Sequence, residues 1–205
     1  MGIETANFAG DFNETQSRVL VIAAELFSEH GYSQVSVRQI ARTCGITPAA
    51  LYYYFPDKYS LYRATLANVF AEKISPVADI IGQTDSAEAK LRKILRWYAN
   101  LISTDRIFSR LLHREMLDGD ETRIAFITSL VFQQPFRQIA DLVSTLAPKA
   151  DAERLTISVF SIILGHFEME SIQRHMLDDT TPIPSPNVIA EHALTFVLLT
   201  ASHTD

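Results

Sequence analysis

A chain of 205 residues has room for one generous domain or for a small one joined to a larger one. Its 47% apolar and 20% charged residues are the balance of a folded globular protein, not a disordered one. The net charge of −6 argues against indiscriminate binding to nucleic acid, the lone Cys44 excludes an internal disulfide framework, and no apolar run approaches the roughly 20 residues of a membrane span. Residues 1–12, with Glu4 and Asp11 and no sustained apolar run, read as a flexible tail and not as a signal peptide, so the expected location is cytoplasmic.

Helical punctuation begins at once. Val19, Ile22, Ala23, Leu26 and Phe27 repeat at i, i+3, i+4, i+7 and i+8, and Gly31 stands where a helix C-cap belongs. Ser36 with Gln39 three residues later makes a capping-box pattern, and Val37, Ile40 and Ala41 supply the inward face of a short second helix. Gly45 provides a turn, Thr47 an N-cap and Pro48 the first helical position of a third helix through Tyr52, Tyr53 and Tyr54. Pro56 stops it, and Asp57 caps a fourth helix with Leu61, Tyr62, Leu66, Val69 and Phe70 turned inward, ending before Ser75 and Pro76. Further helices are predicted around Leu91–Ile102, from Ile107 to near Gly119, and over about Asp120–Leu146, where Pro135 should kink or split the helix. The last two are predicted over Asp151 to about Leu177 and Val188 to about Ala201, separated by a loop with Pro182, Pro184 and Pro186. Strand-like alternation is scarce, so the fold class is all-α.

Two short helices joined by a glycine turn, the second opening on Thr-Pro, describe a helix-turn-helix. The surrounding residues carry more. Arg18-Val-Leu-Val-Ile-Ala-Ala-Glu-Leu-Phe, Gly31-Tyr32, Ser36-Val-Arg-Gln-Ile-Ala, Cys44-Gly-Ile-Thr-Pro, Leu51-Tyr-Tyr-Tyr-Phe, Lys58 and Leu61-Tyr62 together resemble the TetR family of bacterial transcriptional regulators over nearly all of residues 18–66. Tyr54 stands where a histidine is common in that family, and Cys44, read as a small buried filler, where alanine is usual.

The resemblance implies a division of labour: a DNA-binding domain over 13–57, and a larger helical ligand-binding and dimerisation domain over 58–205, joined through the fourth helix. Ser36 combines a hydroxyl with free helix-terminal amides, a natural grip for phosphate, and Arg38 can reach a guanine edge. Thr47, Pro48 and Ala49 open the helix that would enter the major groove, while the resemblance assigns Tyr52 and Tyr53 to the DNA face and Lys58 to a phosphate. Taken singly, Ser36 and Thr47 are needed as caps anyway and Arg38 reads as a solvated charge. Their joint register favours the DNA reading. From Arg18 to Lys73 six bases face four acids, so the acidity of the chain sits elsewhere, and amides, hydroxyls and phenols can supply many backbone contacts.

In such a protein the last two helices pair across a two-fold axis. Leu155, Val159, Ile162 and Ile163, with Ile189, Ala193, Phe196, Val197 and Leu199, exceed the apolar needs of one small domain and suit a dimer seam. Trp97, Tyr98, Phe108, Leu112, Met116, Phe126, Phe132, Phe136, His166 and Phe167 are candidates to line a cavity for a small organic effector, though aromatic stripes at helical spacing commonly serve as plain core. The rival readings are a metal-dependent helical enzyme and a DNA binder indifferent to ligand. For the first, His166 and Glu170 share a face at i, i+4, and His113 lies near Glu115. Yet the chain holds no Glu-x-x-His, no His-Glu-x-x-His and no phosphate-cradling glycine loop. No cofactor, metal site or catalytic residue is expected.

Overall fold

The computed structural model describes residues 12–177 and 182–202; all of the expected tail but Phe12 lies outside the described residues. Among them are twelve α-helices and one π-helical turn. They divide by compactness into two units, residues 12–74 with 107–132, and residues 75–106 with 133–202. This line differs from the division expected at 57/58, because residues 58–74 and a segment distant in sequence join the amino-terminal helices.

In the first unit, α1 (Glu14–Gln34) packs on α2 (Val37–Cys44) and α4 (Lys58–Ile74), and α2 packs on α3 (Pro48–Tyr54). Asn13 and Gln16 begin α1 with a reciprocal capping box. Its buried face is Val19, Leu20, Ala23, Ala24 and Phe27, while Ile22 and Leu26 are half-buried, so the stripe is turned slightly from the one the spacing predicts. Gly31 takes a left-handed φ of 78°, which breaks the regular helix before Tyr32. Inside lie Ile40, Leu51, Leu61, Leu66 and Phe70, none measurably exposed. Burial of such side chains contributes roughly 1.5–3 kcal/mol each. The unit is completed by α7 (Arg106–Asp118) from residue 107 onward, α8 (Glu121–Ile127) and a π-helical turn, Thr128–Phe132.

Pro135 splits its segment as expected, but the break falls upstream. Proline removes an N–H and its ring crowds the carbonyl four residues back, here Val131. The chain widens at 128–132 and resumes as α9 (Gln133–Leu146).

The second unit holds a short α5 (Pro76–Ile81), α6 (Ala87–Thr104), α9, α10 (Ala152–Glu168), α11 (Glu170–Met176) and α12 (Pro186–Ser202). α6 and α12 share its longest seam, where Arg92 reaches both Glu88 and Glu191, and Arg96 lies 2.9 Å from Glu191. Leu91, Ile94, Leu95, Val159, Ile163, Ala193 and Val197 fill the centre. The single helix expected over 151–177 is in fact two: Met169 adopts φ −88° and ψ 0°, and α11 leaves α10 at 65°. No residue of α11 is buried, so packing does not hold it in line with α10. Among the described residues no single helix is long and apolar enough to cross a membrane.

Candidate nucleic-acid interface

Local chemistry fixes α2 and α3. Val37, Ile40, Ala41 and Cys44 are buried at i, i+3, i+4 and i+7, which holds eight residues in a helix too short to persist alone. Ser36 Oγ accepts the Gln39 amide at 3.1 Å. At the far end Gly45 enters the left-handed region at φ 70°, its N–H donating to Arg42 O and the Ile46 N–H to Ala41 O, a Schellman closure. Thr47 Oγ1 then accepts the Ala50 amide at 3.1 Å, with Pro48 at the head of α3 and Leu51 its buried anchor. Asp57 Oδ1 takes the Ser60 amide at 2.6 Å at the start of α4.

This scaffold leaves Ser36, Arg38, Thr47, Pro48, Ala49, Tyr52 and Tyr53 exposed, Tyr53 at 84%, with its ring edge-on to Tyr54 at 5.3 Å. Lys58 differs: it is half-buried, its Nζ donating to Ser33 O at 3.4 Å and sitting 4.4 Å from the Tyr32 ring centroid. Burial pushes its pKa below that of an ordinary lysine. A phosphate would have to draw it off the ring. Arg42, exposed one turn beyond Arg38, belongs with the set on geometry, and its i, i+4 spacing was a readable signal.

Behind the helix-turn-helix, α7 grips α1 and α4 with two consecutive residues. Arg114 donates from Nε to Ser28 O (3.1 Å) and from Nη2 to Glu29 O (2.8 Å), meeting carbonyls of the turn that precedes the break at Gly31. A Cβ built on Gly31 would lie 2.8 Å from Arg114 Nη1. Glu115, buried, accepts the Tyr62 hydroxyl at 2.6 Å and Arg123 Nε at 2.9 Å. Arg123 also meets Asp120 (3.0 Å) and Asp118 (3.1 Å). Burial and then the Glu115 bond raise the Tyr62 pKa, so its proton stays on the phenol. Tyr62 in turn packs edge-on against Phe27 (4.7 Å) and beside Tyr32 (4.9 Å). No sequence pattern marked Arg114, Glu115 or Arg123 as supports of this face.

The ten proposed pocket residues fall five to a unit. Phe108, Leu112, Met116, Phe126 and Phe132 belong to the first, where Phe70 meets Phe108 at 5.2 Å and Phe132 at 5.6 Å, and Arg63 lies over Phe126. Met116 is 58% exposed. Trp97, Tyr98, Phe136, His166 and Phe167 belong to the second; Tyr98 is buried against Phe160 at 4.8 Å, and His166 lies 6.0 Å from the His192 ring. The i, i+4 relation assumed for His166 and Glu170 does not form, because α10 ends between them and Glu170 turns to Arg174. Among the described residues no three of His, Cys, Asp and Glu gather as a metal site.

Residues 19–65 match the family model described as bacterial regulatory proteins, tetR family. An uncharacterized HTH-type transcriptional regulator of Bacillus subtilis (strain 168), YuxN, is 31% identical over 109 residues, 53% of this chain but only 38% of its own length. The fatty acid degradation regulator FadR of Bacillus halodurans superposes with a TM-score of 0.74 at 13% identity, covering 92% of this chain and 97% of its own. FadR of Bacillus subtilis, solved in complex with stearoyl-CoA, gives 0.67 at 15% identity over 90% and 98%. The two structural likenesses show the same all-helical fold over 92% and 90% of the chain. With the helix-turn-helix of α2 and α3 built as described, residues 19–65 carry the amino-terminal DNA-binding domain of the tetR family of bacterial regulatory proteins.

Proposed function

We propose that the chain is a ligand-responsive transcriptional regulator, most simply a repressor. It binds a pseudo-palindromic operator as a homodimer in the cytoplasm and is released by a small organic effector. The observation that carries this reading is the capped α2–Gly45–α3 turn, which holds Arg38, Thr47, Pro48, Ala49, Tyr52 and Tyr53 in solvent over the buried anchors Ile40 and Leu51. Arg38 is assigned to a base edge, with Ser36, Tyr53 and Lys58 on the phosphate backbone.

Of the residues expected at a dimer seam, Leu155, Val159, Ile163, Ile189, Ala193 and Val197 are core of their own unit, and a dimer is supported instead by Phe196 and Leu199 with Ile157 and Val188, between 43% and 57% exposed on α10 and α12. Such apolar side chains on two long helices suit an isologous seam. The match of residues 19–65 to the tetR family weighs against the metal-dependent enzyme. The FadR fold makes acyl-CoA thioesters the first effectors to try.

Footprinting on the DNA beside the chain's own gene tests the proposal. The expected result is a dyad-symmetric footprint with half-sites about 34–36 Å apart. Equal affinity for random DNA would instead identify a binder without an operator. Tenfold release by an effector requires about 1.4 kcal/mol of differential affinity, and operator must weaken effector binding by the same factor.

A further inference from the structure

Two arginines of the first unit meet aromatic rings, and their surroundings differ sharply. Arg123 lies 5.5 Å from the Tyr62 centroid and 5.6 Å from Tyr32, and its N–H groups are taken by Glu115, Asp118 and Asp120. Arg63 of α4 stacks with its guanidinium carbon 3.8 Å from the Phe126 centroid and 5.7 Å from Tyr59. Its Nε is sealed from solvent without a hydrogen-bond partner, and no carboxylate among the described residues pairs with it.

A ring face attracts a cation but offers nothing to the N–H groups in the guanidinium plane. Sealing one of those donors away unmet is unfavourable, and this fold shows at Arg123 that it can surround a buried guanidinium with acids. Stacking on Phe126 sets the Nε and Nη donors of the guanidinium edge side by side, the fork that meets two oxygens of one planar anion once the side chains covering Nε part.

Further rings lie along the same helix. Phe70 of the same helix touches Phe108 and Phe132, and the Thr128–Phe132 turn, which begins just beyond Phe126, contacts α4. Its π-helical winding is of the kind found frequently at functional sites.

We propose that Arg63 is the counter-ion of the effector, whose carboxylate or phosphate group bridges Nε and an Nη while an apolar body lies among Phe70, Phe126 and Phe132. The inference rests on the ligand-responsive reading above and adds the effector's charge. Arg63 stands five residues into the helix that opens with Lys58, so an anion drawn to it acts on the same helix that reaches for DNA.

The test uses the full chain with dodecanoate, dodecyl phosphate and stearoyl-CoA as anionic probes and 1-dodecanol as the uncharged control. At least one anion should release operator from the wild type tenfold or more and raise its melting temperature, with dodecanol inert. The carboxylate and phosphate arms identify which oxyanion is taken. In Arg63→Met, which keeps an apolar stem without the charge, the apo protein should melt no lower than wild type and the anion response should vanish. Arg63→Lys, which keeps the charge but loses the fork, should restore part of it. A melting temperature lowered by several degrees in Arg63→Met would make Arg63 a structural residue and overturn the proposal. So would equal release by dodecanol, or operator binding in a wild type that none of the three anions shifts. Failure to bind any operator would sink the regulator reading alone, and anion-induced stabilisation of wild type over Arg63→Met would then still decide the site.

Discussion

The α2–α3 face and the α10–α12 face both leave large side chains in solvent, but by opposite construction. The first sets phenols, hydroxyls and a guanidinium on helices of eight and seven residues, each fixed by a side-chain cap and a few buried anchors. The second sets Ile157, Val188, Phe196 and Leu199 on helices of seventeen residues whose other sides bury Val159, Ile163, Ala193 and Val197. Polar tips at fixed positions suit a partner that carries a pattern of donors and acceptors. Apolar side chains on long rigid rods suit a partner of the same kind, where area matters more than pattern.

The largest expected effect separates the two faces by stability. Phe27→Ala removes the fully buried ring behind the helix-turn-helix and should cost about 3–5 kcal/mol. Operator binding should disappear while sedimentation still reports a dimer, and loss of both together would mean that the faces do not act separately. The converse change, Phe196→Arg with Leu199→Glu, touches exposed residues only and should leave the helical content intact. Sedimentation should fall to the 23.0 kDa chain mass, and operator affinity should drop about 100-fold or more as paired contacts become single ones. A dimer that survives would place the seam elsewhere.

Smaller effects sharpen the DNA face itself. Arg38→Ala should cost about 1–3 kcal/mol against the preferred base pair in each half-site and little against a substituted one. If every sequence weakens equally, Arg38 contacts backbone alone. Lys58→Ala should have the least effect, lowering the salt dependence by about one unit of slope per protomer without changing sequence preference. Its ammonium already has a carbonyl and a ring to rest on, so part of the phosphate energy goes to leaving them.

What the sequence disclosed follows from the range of the forces involved. Ser36, Gly45, Thr47 and Asp57 act within three or four residues of themselves, and each makes the cap or turn bond its type and position imply, although at Ser36 only the hydroxyl-to-amide half of the capping box is among the bonds formed. The inward set of α4, from Leu61 to Phe70, was legible from its period for the same reason. The bend at Met169 was not, because neither proline nor glycine stands there and the bend reflects a lack of burial further along. Nor was the Tyr62–Glu115 bond, which spans 53 positions and has no local signature. Lys58 reads as a free phosphate contact until Tyr32 and Ser33 are brought beside it by the fold. The burial of Glu115 and Arg123 reverses the usual expectation for charged residues, and only their mutual pairing explains it.

Arg114 bears on how such proteins can be recombined. Its bonds to Ser28 and Glu29 join positions 86 and 85 residues apart, so on the ribosome α1 emerges long before the side chain that finishes its end. A chimera cut after residue 57 would transfer every candidate DNA contact except Lys58, yet strand the carbonyls that Arg114 serves and leave behind Tyr62, whose ring packs on Phe27 and Tyr32. The transplantable reading module is therefore discontinuous. Residues 107–132 must travel with the amino-terminal helices, or the host must already carry an arginine and a glutamate in the same two places.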